Sequence, residues 1–100
     1  MRVIAVSSLK PFWEKHASAE QPLKAWVSAV TAANWTQPAD VTAQFTTASV
    51  LKGRRVVFNI KGNDFRLVAA VAYEFKAVYV KFIGTHAEYD EIDANTVEMP

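Results

Sequence analysis

Two hydrophobic periods divide the chain. Up to about residue 45 the apolar side chains recur at helical spacing, and from Arg54 they recur every second residue. Before the helices, Arg2 to Val6 alternates weakly and is β-rich, which predicts a first strand. Leu9, Phe12, Trp13 and Ala17 then predict a helix capped by Ser7 or Ser8. Pro11 is tolerated because it falls in the first turn, where N–H groups lack intrahelical acceptors. Leu23, Trp26, Val27 and Val30 form an i, i+3, i+4, i+7 stripe, predicting a second helix over Gln21 to Ala33 with Pro22 near its start. On such stripes Trp13 and Trp26 read as core rather than as base-stacking platforms. Asn34 to Asp40 is a break, Pro38 to Phe45 a further short helix, and Thr46 to Gly53 a polar loop.

The period of two predicts strands over Arg54 to Lys61, Phe65 to Tyr73 and Ala77 to Ile83. Lys61-Gly62-Asn63-Asp64 joins the first pair, with Gly62 or Asn63 able to take a positive φ, and Glu74-Phe75-Lys76 joins the second. The result is an antiparallel meander preceded by helices, hence an α+β fold in a single domain over residues 1–100. Strand parity then sorts the side chains. Val56, Phe58 and Ile60, with Phe65, Leu67, Ala69, Val71 and Tyr73, and with Val78, Val80 and Phe82, are expected to face the helices. Asn59, Lys61, Arg66, Tyr79 and Lys81 are left on the opposite face, around the small residues Ala70 and Ala72.

Composition alone points away from an anionic partner, since eleven Lys/Arg against ten Asp/Glu give a net charge of +1. The distribution reverses that impression. All eleven bases and only five acids precede Gly84, whereas five acids and no base follow Ile83. Lys52, Arg54 and Arg55 extend the cationic face from the loop that enters the sheet. Such a basic floor with room above it suits a polyanion, although half-exposed antiparallel sheets commonly present a merely solvated polar face. Zero cysteines exclude disulfides, thiolate metal sites and cysteine nucleophiles. No apolar run reaches the roughly 20 residues of a membrane span, and the N-terminus does not read as a signal peptide, so a cytoplasmic protein is expected.

Thr85-His86-Ala87-Glu88 fits a capping box and predicts a short helix with His86 in its first turn and Tyr89 on the same side. His16, in the first helix, is expected at the surface. An imidazole and a phenol beside cations suit RNA cleavage without a metal. The attacking 2′-hydroxyl must lose a proton, the leaving 5′-oxygen must gain one, and the charge of the phosphorane must be held. Glu88, Asp90, Glu91 and Asp93 read as a solvated acidic end, without metal-ligand spacing.

Arg55-Val56-Val57-Phe58-Asn59-Ile60-Lys61-Gly62-Asn63-Asp64-Phe65-Arg66-Leu67-Val68, followed by Phe82-Ile83-Gly84-Thr85-His86-Ala87-Glu88-Tyr89-Asp90, closely resembles the HigB family of toxins from bacterial type II toxin–antitoxin modules. Phe12-Trp13 and Glu20-Gln21-Pro22-Leu23 extend the resemblance over nearly the whole chain. It implies a RelE/ParE-like fold, an N-terminal strand and two helices on a curled antiparallel sheet with a short C-terminal helix. It also implies an endoribonuclease, an mRNA interferase acting on messages at the ribosome without cofactor or metal. The implied partner is a HigA-type helix-turn-helix antitoxin, through which alone the protein would meet DNA. Arg66 matches the sheet arginine that contacts the scissile phosphate, and His86 with Tyr89 the C-terminal acid/base pair. Lys61 and Lys81 join this catalytic set, while Lys52, Arg54, Arg55, Asn59 and Asn63 are expected to bind RNA. Two alternatives stay open: a toxin of the same fold that inhibits gyrase without chemistry, as ParE-type proteins do, and a plain RNA-binding module.

Overall fold

The computed structural model describes residues 1–99. Five strands form one mixed sheet in the order β1-β5-β4-β3-β2. They are β1 (Arg2–Ile4), β2 (Ser49–Val50), β3 (Arg55–Ile60), β4 (Phe65–Ala72) and β5 (Ala77–Thr85), with helices α1 (Lys10–Lys15), α2 (Glu20–Ala32), α3 (Pro38–Gln44) and α4 (His86–Tyr89). The meander β3-β4-β5 is antiparallel, and β1 adds to its edge in parallel with β5. An α+β fold is therefore observed, compatible with the RelE-like expectation. In the loop expected over Thr46 to Gly53, β2 pairs with Val56 and Val57. Two residues are too short a run to show a period.

Parity assigns the helix-facing side of β3 and β4 correctly. Val56, Phe58, Ile60, Leu67, Ala69 and Val71 are buried with Leu9, Leu23, Trp26 and Val30. Trp26 and Phe45 both meet Phe58 edge-on, at ring-centroid distances of 5.3 and 5.1 Å. Trp35, in the predicted break, stacks on Phe58 as well and satisfies its indole N–H on Gln44 Oε1 at 3.1 Å. These four rings thus meet in one core, where aromatic pairs contribute both buried area and preferred edge-on or stacked geometry. Trp13 packs against the rim of the same core.

Local corrections have local causes. The serine cap of α1 is not made: a 3-10 turn at Val6–Ser8 follows Ala5 at φ 73°, and Leu9 caps α1 without a side-chain bond. In the hairpin, Lys61 (φ 52°) and Gly62 (φ 61°) take the left-handed conformation, not Asn63, so β3 ends at Ile60 and Lys61 belongs to the turn. His16 is half-buried rather than on the surface, stacked on the Phe12 ring at 4.5 Å.

The larger correction concerns β5. Ala69 pairs with Val80 and Val68 with Phe82, leaving Lys81 unpaired as a bulge. One extra residue shifts every later side chain to the other face. Ile83 packs with the helix-side core, and Phe82, expected there, lies on the open side with Val57, Val68 and Tyr89.

The acidic end is likewise not a free solvated tail. Its carboxylates are exposed, but Ile92, Ala94 and Val97, spaced between them, pack on Val57, Val68 and Phe82. A turn at Asp93, whose backbone carbonyl accepts from Thr96 and Val97 at 3.1 and 2.9 Å, folds the segment back across the open face. No described helix is long and apolar enough to cross a membrane.

Candidate functional site

The open sheet face is laid out in rows by strand register. Asn59, Arg66 and Gly84 form the row next to α4; Val57, Val68 and Phe82 form the middle row; Arg55, Ala70 and Tyr79 form the far row. The C-terminal segment covers the middle row and part of the far one, so the cations predicted to share one floor have different surroundings.

At the α4 end the capping box forms as the sequence predicts. Thr85 Oγ1 accepts from the Glu88 N–H at 3.2 Å, and the Glu88 carboxylate accepts from the Thr85 N–H at 2.7 Å. The His86 N–H donates to Asp64 O at 3.3 Å, tying the helix to the β3-β4 hairpin. His86 is 54% exposed, and its Nδ1 lies 3.2 Å from the Asp90 carboxylate. The imidazole is thus exposed beside a carboxylate, where it can accept or return a proton. The Tyr89 ring turns onto the open face, 6.5 Å from the centroid of Phe82. Gly84 is required in this packing, because a Cβ there would collide with the Phe82 ring.

Arg66 is partly exposed in the row beside Gly84. Its guanidinium is held from the hairpin side, donating to Asn63 O at 3.1 Å and, more loosely, to Asn63 Oδ1 at 3.5 Å. Asn63 therefore acts as a support for the arginine. Among the described residues Arg66 has no carboxylate partner, so its charge remains for a ligand. Lys61 stands at the same hairpin, 3.4 Å from Asp64 and exposed. Asn59 is half-buried and its amide contacts Thr47 O at 3.4 Å. Register and hairpin thus bring Arg66, Lys61, Asn63, His86 and Tyr89 to one end of the sheet.

The remaining cations are elsewhere. Lys52 and Arg54 are exposed beyond the far row, and Arg54 pairs with Glu74 at 2.5 Å, which helps hold that carboxyl below the usual range after the glutamate's own backbone N–H. Lys81, expected with His86, sits at the bulge, its Nζ 2.8 Å from Glu98 Oε1 and 5.9 Å from the Tyr79 ring centroid. Arg55, expected as an exposed RNA contact, is buried at 9% exposure. It donates to Ala94 O at 3.3 Å, to Val97 O at 2.6 Å and to the Glu98 carboxylate at 2.5 Å. Covering by residues 90–99 is the reason. The bonds from Lys81 and then Arg55 hold the Glu98 carboxyl below the usual glutamate range.

Two residues were passed over in the sequence. Asp90 was read as one of several solvated acids, although its i+4 spacing from His86 is a visible signal for a helical pair. Glu98 carries no local signal, because its partners are 17 and 43 residues away.

A family model described as HigB toxin, a RelE-like toxic component of a toxin–antitoxin system, matches residues 19–92. The chain is 30% identical to the mRNA interferase toxin HigB of Escherichia coli strain K12, over 90% of this chain and 88% of that protein. The mRNA interferases HigB of Escherichia coli O157:H7 and Shigella flexneri match at the same identity and coverage.

Proposed function

The chain belongs to the HigB family of RelE-like toxins, and from that premise we propose that it is a metal-independent endoribonuclease that cuts messenger RNA on the translating ribosome. One observation carries the reading beyond family: an arginine with no carboxylate partner among the described residues, an exposed histidine beside a carboxylate, and a tyrosine stand at one end of the open sheet face.

In this reading His86 and Tyr89 are the groups that move protons. The 2′-oxygen gives up its proton as it attacks the adjacent phosphorus. The P–O5′ bond breaks as the 5′-oxygen takes a proton, leaving a 2′,3′-cyclic phosphate and a 5′-hydroxyl. Arg66 holds the added charge of the phosphorane, the role that preorganised donors fill most effectively. Lys61 adds positive charge from the hairpin, and Lys52 and Arg54 meet the RNA backbone at the far end of the sheet. Asn59 and Asn63 flank Arg66, the latter fixing its guanidinium. The antitoxin partner is of the HigA helix-turn-helix type, and the toxin reaches DNA only through it.

Brief expression followed by mapping of transcript 5′ ends tests this. New in-frame ends within translated messages are expected, and they should vanish in His86→Ala. Intact messages with arrested growth would instead place the toxin among the non-nucleolytic inhibitors of the same fold.

A further inference from the structure

The carboxylate of Glu98 has the surroundings of a bound anion. One oxygen accepts from Lys81 Nζ at 2.8 Å and the other from Arg55 Nη2 at 2.5 Å. Two cations on two adjacent oxygens is also how a phosphodiester's non-bridging oxygens are held. The cations come from different strands of the folded sheet, with Arg55 opening β3 and Lys81 at the bulge of β5, so the pair is built by the fold and not by the segment that fills it. The filling segment is anchored on both sides of Glu98 and open to solvent at Glu98 itself. Glu98 is 58% exposed, between the apolar anchors Ile92, Ala94 and Val97 on the open face and Met99 on the helix-side core. Arg55 is buried under the segment, but the carboxylate end of the ion pair is open to solvent, where an incoming phosphate can compete for both cations. The subsite lies on the same sheet face as Arg66, three β5 residues from Gly84, roughly 10 Å along the strand.

We propose that Arg55 and Lys81 form a subsite for an RNA phosphodiester that Glu98 occupies in the free protein, so that the C-terminal segment and the RNA backbone exclude one another. The proposal rests on the RNA reading above and adds a regulation to it: the toxin carries its own competitor. RNA must displace residues 90–99 to reach the far rows of the sheet, and Arg55 exchanges a carboxylate for a phosphate.

The test uses the full chain and a single-stranded 12-nucleotide RNA in which every 2′-hydroxyl is replaced by methoxy, which blocks cleavage. Binding is followed by fluorescence anisotropy across a salt series for the wild type, Glu98→Gln and Glu91→Gln. Glu91 is an exposed acid of the same segment with no ion pair among the described residues, so it controls for the change in net charge. Glu98→Gln is expected to bind about tenfold tighter than Glu91→Gln, with a flatter affinity penalty on reaching the subsite but a steeper salt dependence, by about one phosphate contact. Amide hydrogen exchange over residues 91–98 should rise in Glu98→Gln and, on saturation with the oligonucleotide, in the wild type. Equal affinities of the two variants, no binding by any of the three, or unchanged protection on saturation would each overturn the proposal. Its fate is separable from that of the nuclease reading. Messages cut in a translating extract with equal variant affinities remove the subsite alone, whereas tighter binding by Glu98→Gln with uncut messages removes the cleavage alone.

Discussion

Arg55 and Arg66 project from neighbouring strands onto the same face of the same sheet, yet their surroundings differ in kind. Arg66 leans on the carbonyl of Asn63 and has no carboxylate partner among the described residues, while Arg55 is enclosed by the carbonyls of Ala94 and Val97 and the carboxylate of Glu98. Parity determines which face a side chain points to, but only the tertiary cover determines whether its charge is free. The guanidinium left open in the row next to α4 keeps its charge for a ligand. The same group under the C-terminal segment fastens that segment down.

The difference can be broken from either side. Removing the imidazole in His86→Ala is expected to lower single-turnover cleavage of ribosome-bound message by about 10²- to 10⁴-fold, the range of general acid–base catalysis. Arg66→Ala should cost about 10²- to 10³-fold in the same assay, comparable to losing one donor to a developing oxyanion, with little change in thermal stability. Arg55→Ala is expected to do the opposite. Its melting temperature should fall, by about 1–3 kcal/mol of stability for buried acceptors left unpaired, together with faster hydrogen exchange over residues 91–98. Gly84→Ala sharpens the comparison at the boundary of the two regions: its Cβ would displace the Phe82 ring, and with it Tyr89, costing about 1–3 kcal/mol in unfolding measurements.

The smallest effect is on pH. Folding lowers the Glu98 pKa below its unfolded value, so the folded state binds fewer protons there. The contact therefore contributes fully above the ordinary glutamate range and is lost as the pH falls through the lowered folded value. Protection of residues 91–98 should decline across that acidic window in the wild type and stay flat in Glu98→Gln.

Much of this architecture was legible because apolar periodicity and burial are the same fact seen twice. Val56-Phe58-Ile60 and Leu67-Ala69-Val71 face the helices because every second residue is apolar, and the pairing with the helix stripes follows. The Thr85-Glu88 capping box was equally legible, being a reciprocal bond within four residues. What escaped depends on cross-strand geometry or on distant partners. The bulge at Lys81 is a property of the β4-β5 pairing and leaves no mark in β5 read alone, so Phe82 was assigned to the wrong face. Glu98 finds Arg55 only after the chain has folded back. The apolar residues Ile92, Ala94 and Val97 did signal that return, but the acids around them dominate the composition.

The bulge has a consequence for which changes in length the chain can absorb. Deleting Lys81 would remove the bulge and leave Phe82 directly after Val80, so Phe82 would keep the open face and α4 would depart from the same side. Deletion of Ile83, past the bulge, would instead put Gly84 and every later residue on the opposite face, and His86 would leave the sheet pointing away from Arg66 although no residue of the candidate site had been altered. A one-residue deletion at Ile83 should abolish activity, whereas deletion of the unpaired Lys81 should leave the phase of the strand end intact. In this fold, catalytic geometry depends on counting residues as much as on choosing them.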